Sequence, residues 1–439
     1  MQKLLVALIV LLSAAGVRAS EPRVAEVVEV DRVWSGHSVG FALLTQVKTQ
    51  YVAYFDAERR MIVASRELGK REWVKKDLGQ KIGWDSHNYI TMAIDDAGQL
   101  HVSGNMHANP MLYFVTTEPG DVTSLTRVEK LVGSEETRCT YPVFMKGASG
   151  QFIFTYRSGG SGNGNQIYNI YDSKTKIWRR LTDAPLTDGQ GKMNAYFGGP
   201  TKGPDGFFHL CWVWRDTGDC ATNHDLSYAR SKDLVHWENG QGEPLSLPIK
   251  LGDDVIVDPV PAGGGIINGN TKIGFDRQKR VIVSYHKFDP SGNTQLYNAR
   301  LENGAWKIYQ ASDWDYRWAF SGGGSIVFEV RVGNVSVARG GTLVQTYQHA
   351  KLGSGAWKLD EATLRPIGTF QPERDRPREL DRVESDFPGM SVRWAGDSGK
   401  TSGARHFLRW ETLGPNRDRP RSGDLPEPSV LRVYRIESR

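Results

Sequence analysis

Six residues carry the reactive chemistry of this sequence: His87 and His107, Tyr141 and Arg157, Tyr196 and Arg215. They supply imidazoles, phenols and guanidinium groups. No pair of carboxylates occupies matching positions, as a retaining or inverting glycosidase needs, and there is no Ser-His-Asp order or nucleophile elbow. The set suits removal of a proton next to a carboxylate. Arginine and a charged or hydrogen-bonded histidine neutralise the carboxylate and so stabilise an enolate-like transition state. A neutral histidine, or a tyrosine whose pKa is lowered from about 10 by cationic neighbours, takes the α-proton. Tyrosine can then return a proton to the leaving oxygen. A natural substrate for such a set would be a uronic acid in an acidic polysaccharide or oligosaccharide, and the reaction would be β-elimination.

The spacing of these residues follows from the elements that must hold them. In SHNYITMAIDDAGQLHVSGNMH, apolar residues alternate from Ile90 to Ile94 and again from Leu100 to Val102, on either side of the turn signal Asp95-Asp96-Ala97-Gly98. A hairpin sets residues equidistant from its turn opposite each other. His87 and His107 have their midpoint at 97, so both are expected at the open end of one hairpin. TYPVFMKGASGQFIFTYR turns at Gly147 to Gly150, and Tyr141 and Arg157 flank that turn in the same way. NAYFGGPTKGPDGFFHLCWVWR turns at Gly203 to Gly206, with Tyr196 and Arg215 at its open end, offset by about two residues. His37, in VWSGHSVGF, also falls near the start of a strand, and a structural role is expected for it.

Turn-plus-strand units of this kind recur along the chain: YFDAERRMIVASR, IDDAGQLHVSGN, KGASGQFIFTYR, KGPDGFFHLCWVW, FDRQKRVIVSYHK and VARGGTLVQTYQH. Several are followed by a second unit ending on tryptophan, such as YDSKTKIW and ARSKDLVHW. A loose repeat of this length is the mark of propeller blades with variable loops. MSVRWAGD, HFLRWETL and SVLRVYRI supply one more blade, and VAEVVEVDRVW can close the ring against the C-terminus. The expected fold is all-β, a seven-bladed β-propeller, which removes the exposed edges a flat sheet would carry. Equivalent hairpin ends would then gather all six residues around one mouth. ARSKDLVHW, with Ser231, Asp233 and Trp237, looks like a degenerate Asp-box, a turn device without catalytic meaning. The charged runs 371–383 and 414–424 read as solvated loops.

The segments HNYITMAID…HVSGNMH, TYPVF…FTYRSG, CWVWR and SYHK resemble secreted seven-bladed BNR-type propellers, a group that includes ulvan lyases and the related rhamnosyl-glucuronate lyases once classed as rhamnosidases. The resemblance runs from about Val33 to about Ile367. It implies a polysaccharide lyase that cuts beside a uronate bonded at O4 to rhamnose, with His87, His107, Tyr141 and Arg157 as the catalytic set. Tyr141 would then be both base and acid, Arg157 with a histidine would neutralise the carboxylate, and Tyr196 and Arg215 would contact substrate. Two rivals stay open: an α-L-rhamnosidase using His37, a position that has been assigned the hydrolase role in some relatives, and a glycan-binding propeller without activity.

FFHLCWVWRDTGDCATNHDL brings His209, Cys211, Cys220 and His224 into one stretch. Alternate strand residues share a face, and a Cys-x3-His return completes four ligands of the kind tetrahedral zinc prefers. A structural Zn²⁺ is expected, a Cys211–Cys220 disulfide competes with it, and the resemblance points to the metal. Cys139 would be a free buried thiol, and no organic cofactor is implied. Lys3, the apolar run Leu4 to Leu12 and Val17-Arg18-Ala19 read as a signal peptide over 1–19, too short to span a membrane. Residues 20–439 then form a single exported catalytic domain, expected to be a monomer. The formal charge of +5 falls to +3 when Lys3 and Arg18 leave, and its signs are interspersed, which does not argue for nucleic acid.

Overall fold

The computed structural model describes residues 21–252, 254–399, 401 and 404–437. The expected signal peptide lies outside them. Strands dominate, and the only helical elements among the described residues are three short 3-10 turns. None is long and apolar enough to cross a membrane.

Seven antiparallel four-stranded units follow one another along the chain. Their innermost strands are Ala42–Gln46, Ile90–Ile94, Cys139–Lys146, Asn194–Lys202, Lys272–Phe275, Val330–Val332 with Ser336–Val337, and Met390–Gly396. Blades one to six are built outward in sequence order. Blade seven takes only three strands from the C-terminal segment, and Arg23–Val33 supplies the fourth by pairing with Ser429–Glu437 from Arg23↔Glu437 to Val33↔Ser429. A single parallel bridge, Gly164↔Asn194, joins blades three and four into one continuous sheet.

Local chemistry sets the turns. In the second hairpin of blade one and the first hairpins of blades two and five, an aspartate side chain accepts backbone N–H groups two and four residues ahead. Asp56 serves Glu58 and Arg60, Asp95 serves Ala97 and Gln99, and Asp276 serves Gln278 and Arg280. These are Asx turns, which pre-form the reversal before the strands pair. The Asp-box expectation holds as a turn device in blade four. Ser231 accepts from Leu234 N at 2.8 Å, Asp233 from Val235 and His236 N, and the buried Trp237 donates to Leu234 O.

The core lies between blades rather than at a centre. One apolar cluster spans blades seven, one and two, and within it Phe41 stacks on Trp410 at 4.6 Å across the closing seam. Both rings are buried. Trp410→Ala should destabilise the protein by about 3–5 kcal/mol, the usual cost of emptying an aromatic site in a packed core, read as a lower midpoint in urea unfolding.

Candidate active site

The first hairpin of blade two pairs Ile90 with Gly104 and Thr91 with Ser103. The same register carried three residues further sets His87 against His107, and their rings stack at 4.2 Å with planes 27° apart. Asp85 sits between them. His87 Nδ1 lies 2.7 Å and His107 Nδ1 2.5 Å from its two oxygens. Burial opposes ionisation of Asp85, but hydrogen bonds from His107 and His87 hold it well below the usual carboxylate range. An ionised Asp85 requires both Nδ1 atoms to be donors, an assignment made from the network. The Nε2 atoms are thereby left for other chemistry.

In blade three the pairs Cys139↔Ser158 and Thr140↔Arg157 give way to Val143↔Thr155, a bulge that takes up Tyr141 and Pro142. Tyr141 is left-handed, with φ +58°. That conformation is costly for an aromatic residue, and bulges re-aim side chains beside functional sites. Arg157, 2% exposed, lies 5.0 Å over the Tyr141 ring, donates to Thr140 Oγ1 at 2.8 Å and reaches the Tyr196 hydroxyl at 3.4 Å. His87 meets the Tyr141 ring edge-on at 5.9 Å.

In blade four Arg215 pairs with Asn194, two residues from Tyr196, which is the offset expected from the sequence. Arg215 packs over the Tyr196 ring at 5.4 Å and is fixed by Thr217 O and Gly218 O. The mouth these elements frame is a cavity of about 290 Å³, lined by His87, His107, Tyr141, Arg215, Asn268 and Phe328 among others. A larger cavity of about 570 Å³ lies between Phe387 and the 414–424 loop and holds none of the six residues.

Burial raises the Tyr141 phenol well above its ordinary value; Arg157 and Arg215 pull it down and Tyr196 and Asp85 push it further up. The expected lowering is therefore corrected, because desolvation of the phenolate outweighs two nearby cations. His87 moves the other way. Burial would lower it, but hydrogen bonds to Asp418 and Asp85, and their charges, raise it to about 9.

Asp418 overturns the reading of 414–424 as a solvated loop. It accepts from Ser86 N and Oγ at 3.0 Å and from Ser325 N at 2.7 Å, and lies 3.3 Å from His87 Nδ1. Arg417 beside it donates to Ser321 O and Gly323 O. The loop is a strap tying blade seven to the segments before blades two and six. Nothing in its sequence signals this, because Ser86 is 332 residues away. Asp85 carried a weak signal, as a carboxylate two residues before a strand-end histidine. His37 is fully buried between Trp34 and Trp84, 3.5 Å from Asp418, and does not line the cavity.

The structure does not bring His209, Cys211, Cys220 and His224 together, so the zinc expectation is corrected. His209 engages Tyr228 at 2.6 Å and Asp205 at 3.0 Å, His224 engages Asp216 and Asp225, and Cys211 faces Gly198 O. His209 sits six residues before Arg215, which at the usual rise is about 20 Å of strand. Cys220 stays at the mouth, where it lines the cavity. The return strand Asn223–Ser231 runs back along Phe208–Arg215, but it sets Arg230 opposite His209 and Tyr228 opposite Cys211 while His224 stays beside Trp214, so four ligands cannot converge. The competing disulfide is absent too: all three cysteines are free and buried, Cys139 as expected. Among the described residues, the only His, Cys, Asp and Glu group at ligand spacing is Asp85, His87 and His107, whose contacts are those of one carboxylate shared by two imidazoles.

Residues 49–314, well over half of the chain, match the BNR repeat-containing family. The chain belongs to that family. It is 28% identical over 231 residues to the short isoform of ulvan lyase from Alteromonas sp. (strain LOR), covering 44% of this chain and 43% of that protein. It is 24% identical over 235 residues to a long isoform of ulvan lyase from Alteromonas sp, covering 46% of this chain and 24% of that protein. The matched region thus spans less than half the length of either relative. Among solved structures, the polysaccharide lyase Uly1 superposes with a TM-score of 0.61 at 12% identity, over 94% of this chain and 99% of that one. A PL25 ulvan lyase bound to -[GlcA(1-4)Rha3S]- superposes with a TM-score of 0.59 at 14% identity, over 93% and 95%. These likenesses establish the seven-bladed propeller fold for this BNR family member.

The strap makes a measurable prediction. In an NMR titration the His87 ring should titrate near 9, and Asp418→Asn should move that midpoint down. A folded-state pKa above the unfolded value of about 6.5 stabilises the protein fully below 6.5, and that contribution is lost as pH rises towards 9. The variant should therefore lose less stability than the parent between those pH values. An unchanged midpoint would exclude the Asp418–His87 pairing.

Proposed function

We propose that this propeller is a polysaccharide lyase that cleaves a rhamnose–uronic acid linkage by β-elimination, with a glucuronate or iduronate at the cut. The observation that carries the reading is Tyr141, turned out of its strand into the cavity between the Arg157 guanidinium and the stacked histidines. The likeness to ulvan lyases supports the substrate class.

The uronate carboxylate faces the cationic side of the mouth, where Arg157, Arg215 and the imidazolium of His87 offset the charge that builds on it as the α-proton leaves. Donors of this kind are worth about 10²–10³ in rate each. His107, with Nδ1 donating to Asp85, presents Nε2 as the base. Tyr141, protonated at rest because it is buried, gives its proton to the O4 oxygen as the C4–O4 bond breaks. The product is an unsaturated uronate and a free rhamnose hydroxyl. Asp85 and Asp418, the carboxylates paired with the histidines, are held ionised by them. Neither is free to protonate a leaving group, which weighs against a hydrolase, as does the burial of His37 outside the cavity. Action on such a polymer fits an exported enzyme.

Incubation with ulvan and with rhamnose-capped arabinogalactan, followed by the ultraviolet absorbance of the unsaturated uronate, tests the proposal. Rising absorbance is expected. Free rhamnose without absorbance would make the protein a rhamnosidase, and binding without turnover a lectin-like propeller. Tyr141→Phe should lower kcat by at least about 10²-fold. His107→Ala should do the same, and full activity in that variant would return the base role to Tyr141.

A further inference from the structure

The innermost strands of the seven blades surround the central channel, and their charge is one-sided. Together they carry Lys146, Lys202, Lys272, Arg331 and Arg393 but no aspartate or glutamate. Lys146 has a partner, Asp96, at the turn end of its hairpin, and Lys202 lies exposed at the equivalent end of blade four. The other three stand on consecutive blades five, six and seven, and none forms an ion pair among the described residues. Lys272 Nζ makes one hydrogen bond, to Gly269 O at 3.2 Å, of the three an ammonium can donate. Arg331 lies 4.8 Å over the Phe328 ring. Arg393 has a buried Nε with no partner. Asp397, just beyond the blade-seven strand, already accepts from Thr45 N and faces His406. Gly269 and Phe328, which contact Lys272 and Arg331, also line the catalytic cavity, so these two cations lie beside it, and Arg393 stands on the next blade.

Three cations on consecutive blades without a counter-ion are a costly arrangement, because they repel one another and Lys272 and Arg393 are half-buried, Arg331 being the exposed member. The strain registers in their acidities. Burial lowers all three, Arg331 further lowers Lys272 and Arg393, and for Lys272 the Cys211 thiol offsets part of the effect. A tetrahedral oxyanion removes the repulsion and satisfies the orphaned donors at once, and guanidinium groups are matched to such oxygens.

We propose that the central channel is a binding site for a small inorganic oxyanion of the sulfate or phosphate class, held by Lys272, Arg331 and Arg393 beside the catalytic cavity. The anion bridges blades five, six and seven, which no side-chain ion pair joins at this depth among the described residues. It is separate from the carboxylate-handling groups Arg157 and Arg215 at the mouth, and the inference does not depend on the lyase reading.

Calorimetric titration of the whole protein with sodium sulfate, at ionic strength fixed with chloride, should show one saturable site. R331Q should weaken it by about tenfold or more, the loss expected for one charged hydrogen bond, and K272Q should do likewise should R331Q fold poorly. R215Q should leave it unchanged. Crystals soaked in selenate should show an anomalous peak among the three side chains. No saturable binding, equal binding in R331Q and K272Q, or loss of binding in R215Q would each overturn the proposal.

Discussion

Ring closure is the constraint on which everything else depends. Blade seven is incomplete until Arg23–Val33 anneals to Ser429–Glu437, joining residues 414 positions apart. The loop-closure entropy of such a contact is large, and an entire strand ladder with the apolar seam behind it offsets that cost. Once closed, the ring leaves only short, protected strand edges, and the seven hairpin ends are held at fixed angles around one mouth. The geometry of the mouth is a consequence: His87 and Tyr141 belong to different blades and meet only because the ring sets the spacing between those blades.

The mouth is organised by two ionised carboxylates more than by the residues that would touch substrate. Asp85 holds the histidine pair in one stacked arrangement and fixes which nitrogens carry protons. Asp418 arrives on the strap from blade seven, keeps His87 charged, and ties three separate connections together through Ser86 and Ser325. Burying such charges is expensive unless each is paired and hydrogen-bonded, and here each aspartate is. A site so constrained needs little rearrangement to receive an anionic ligand, because its cationic face is in place beforehand.

The positive character extends below the mouth into the channel. A propeller's inner strands face a narrow channel, so the charges they carry act on one another over short distances. The lack of acidic residues on all seven inner strands places these cations in a common field. That field reaches the cavity floor through Phe328 and Gly269, which gives fold and site a shared electrostatic problem.

The sequence by itself determined the architecture and set six candidate residues at the open ends of three hairpins, of which His87, His107, Tyr141 and Arg215 line the cavity. Alternation and turn chemistry are local, so the hairpins, the Asx turns, the Asp-box and the blade count were legible. The symmetry of His87 and His107 about their turn set them opposite each other for the same reason, and the structure adds that their rings stack. Only the tertiary structure decided the rest. Asp418 reached the site from a loop that reads as solvent-exposed, because contacts across 332 residues leave no periodic trace. The phenol of Tyr141 proved raised rather than lowered, because burial is a property of the packed ring and not of neighbouring residue types. His209, Cys211, Cys220 and His224 have the spacing of a zinc site, yet the strand carries His209 away from the mouth while Cys220 stays there. Spacing along a chain sets which residues share a face, but where each face ends is set by the fold.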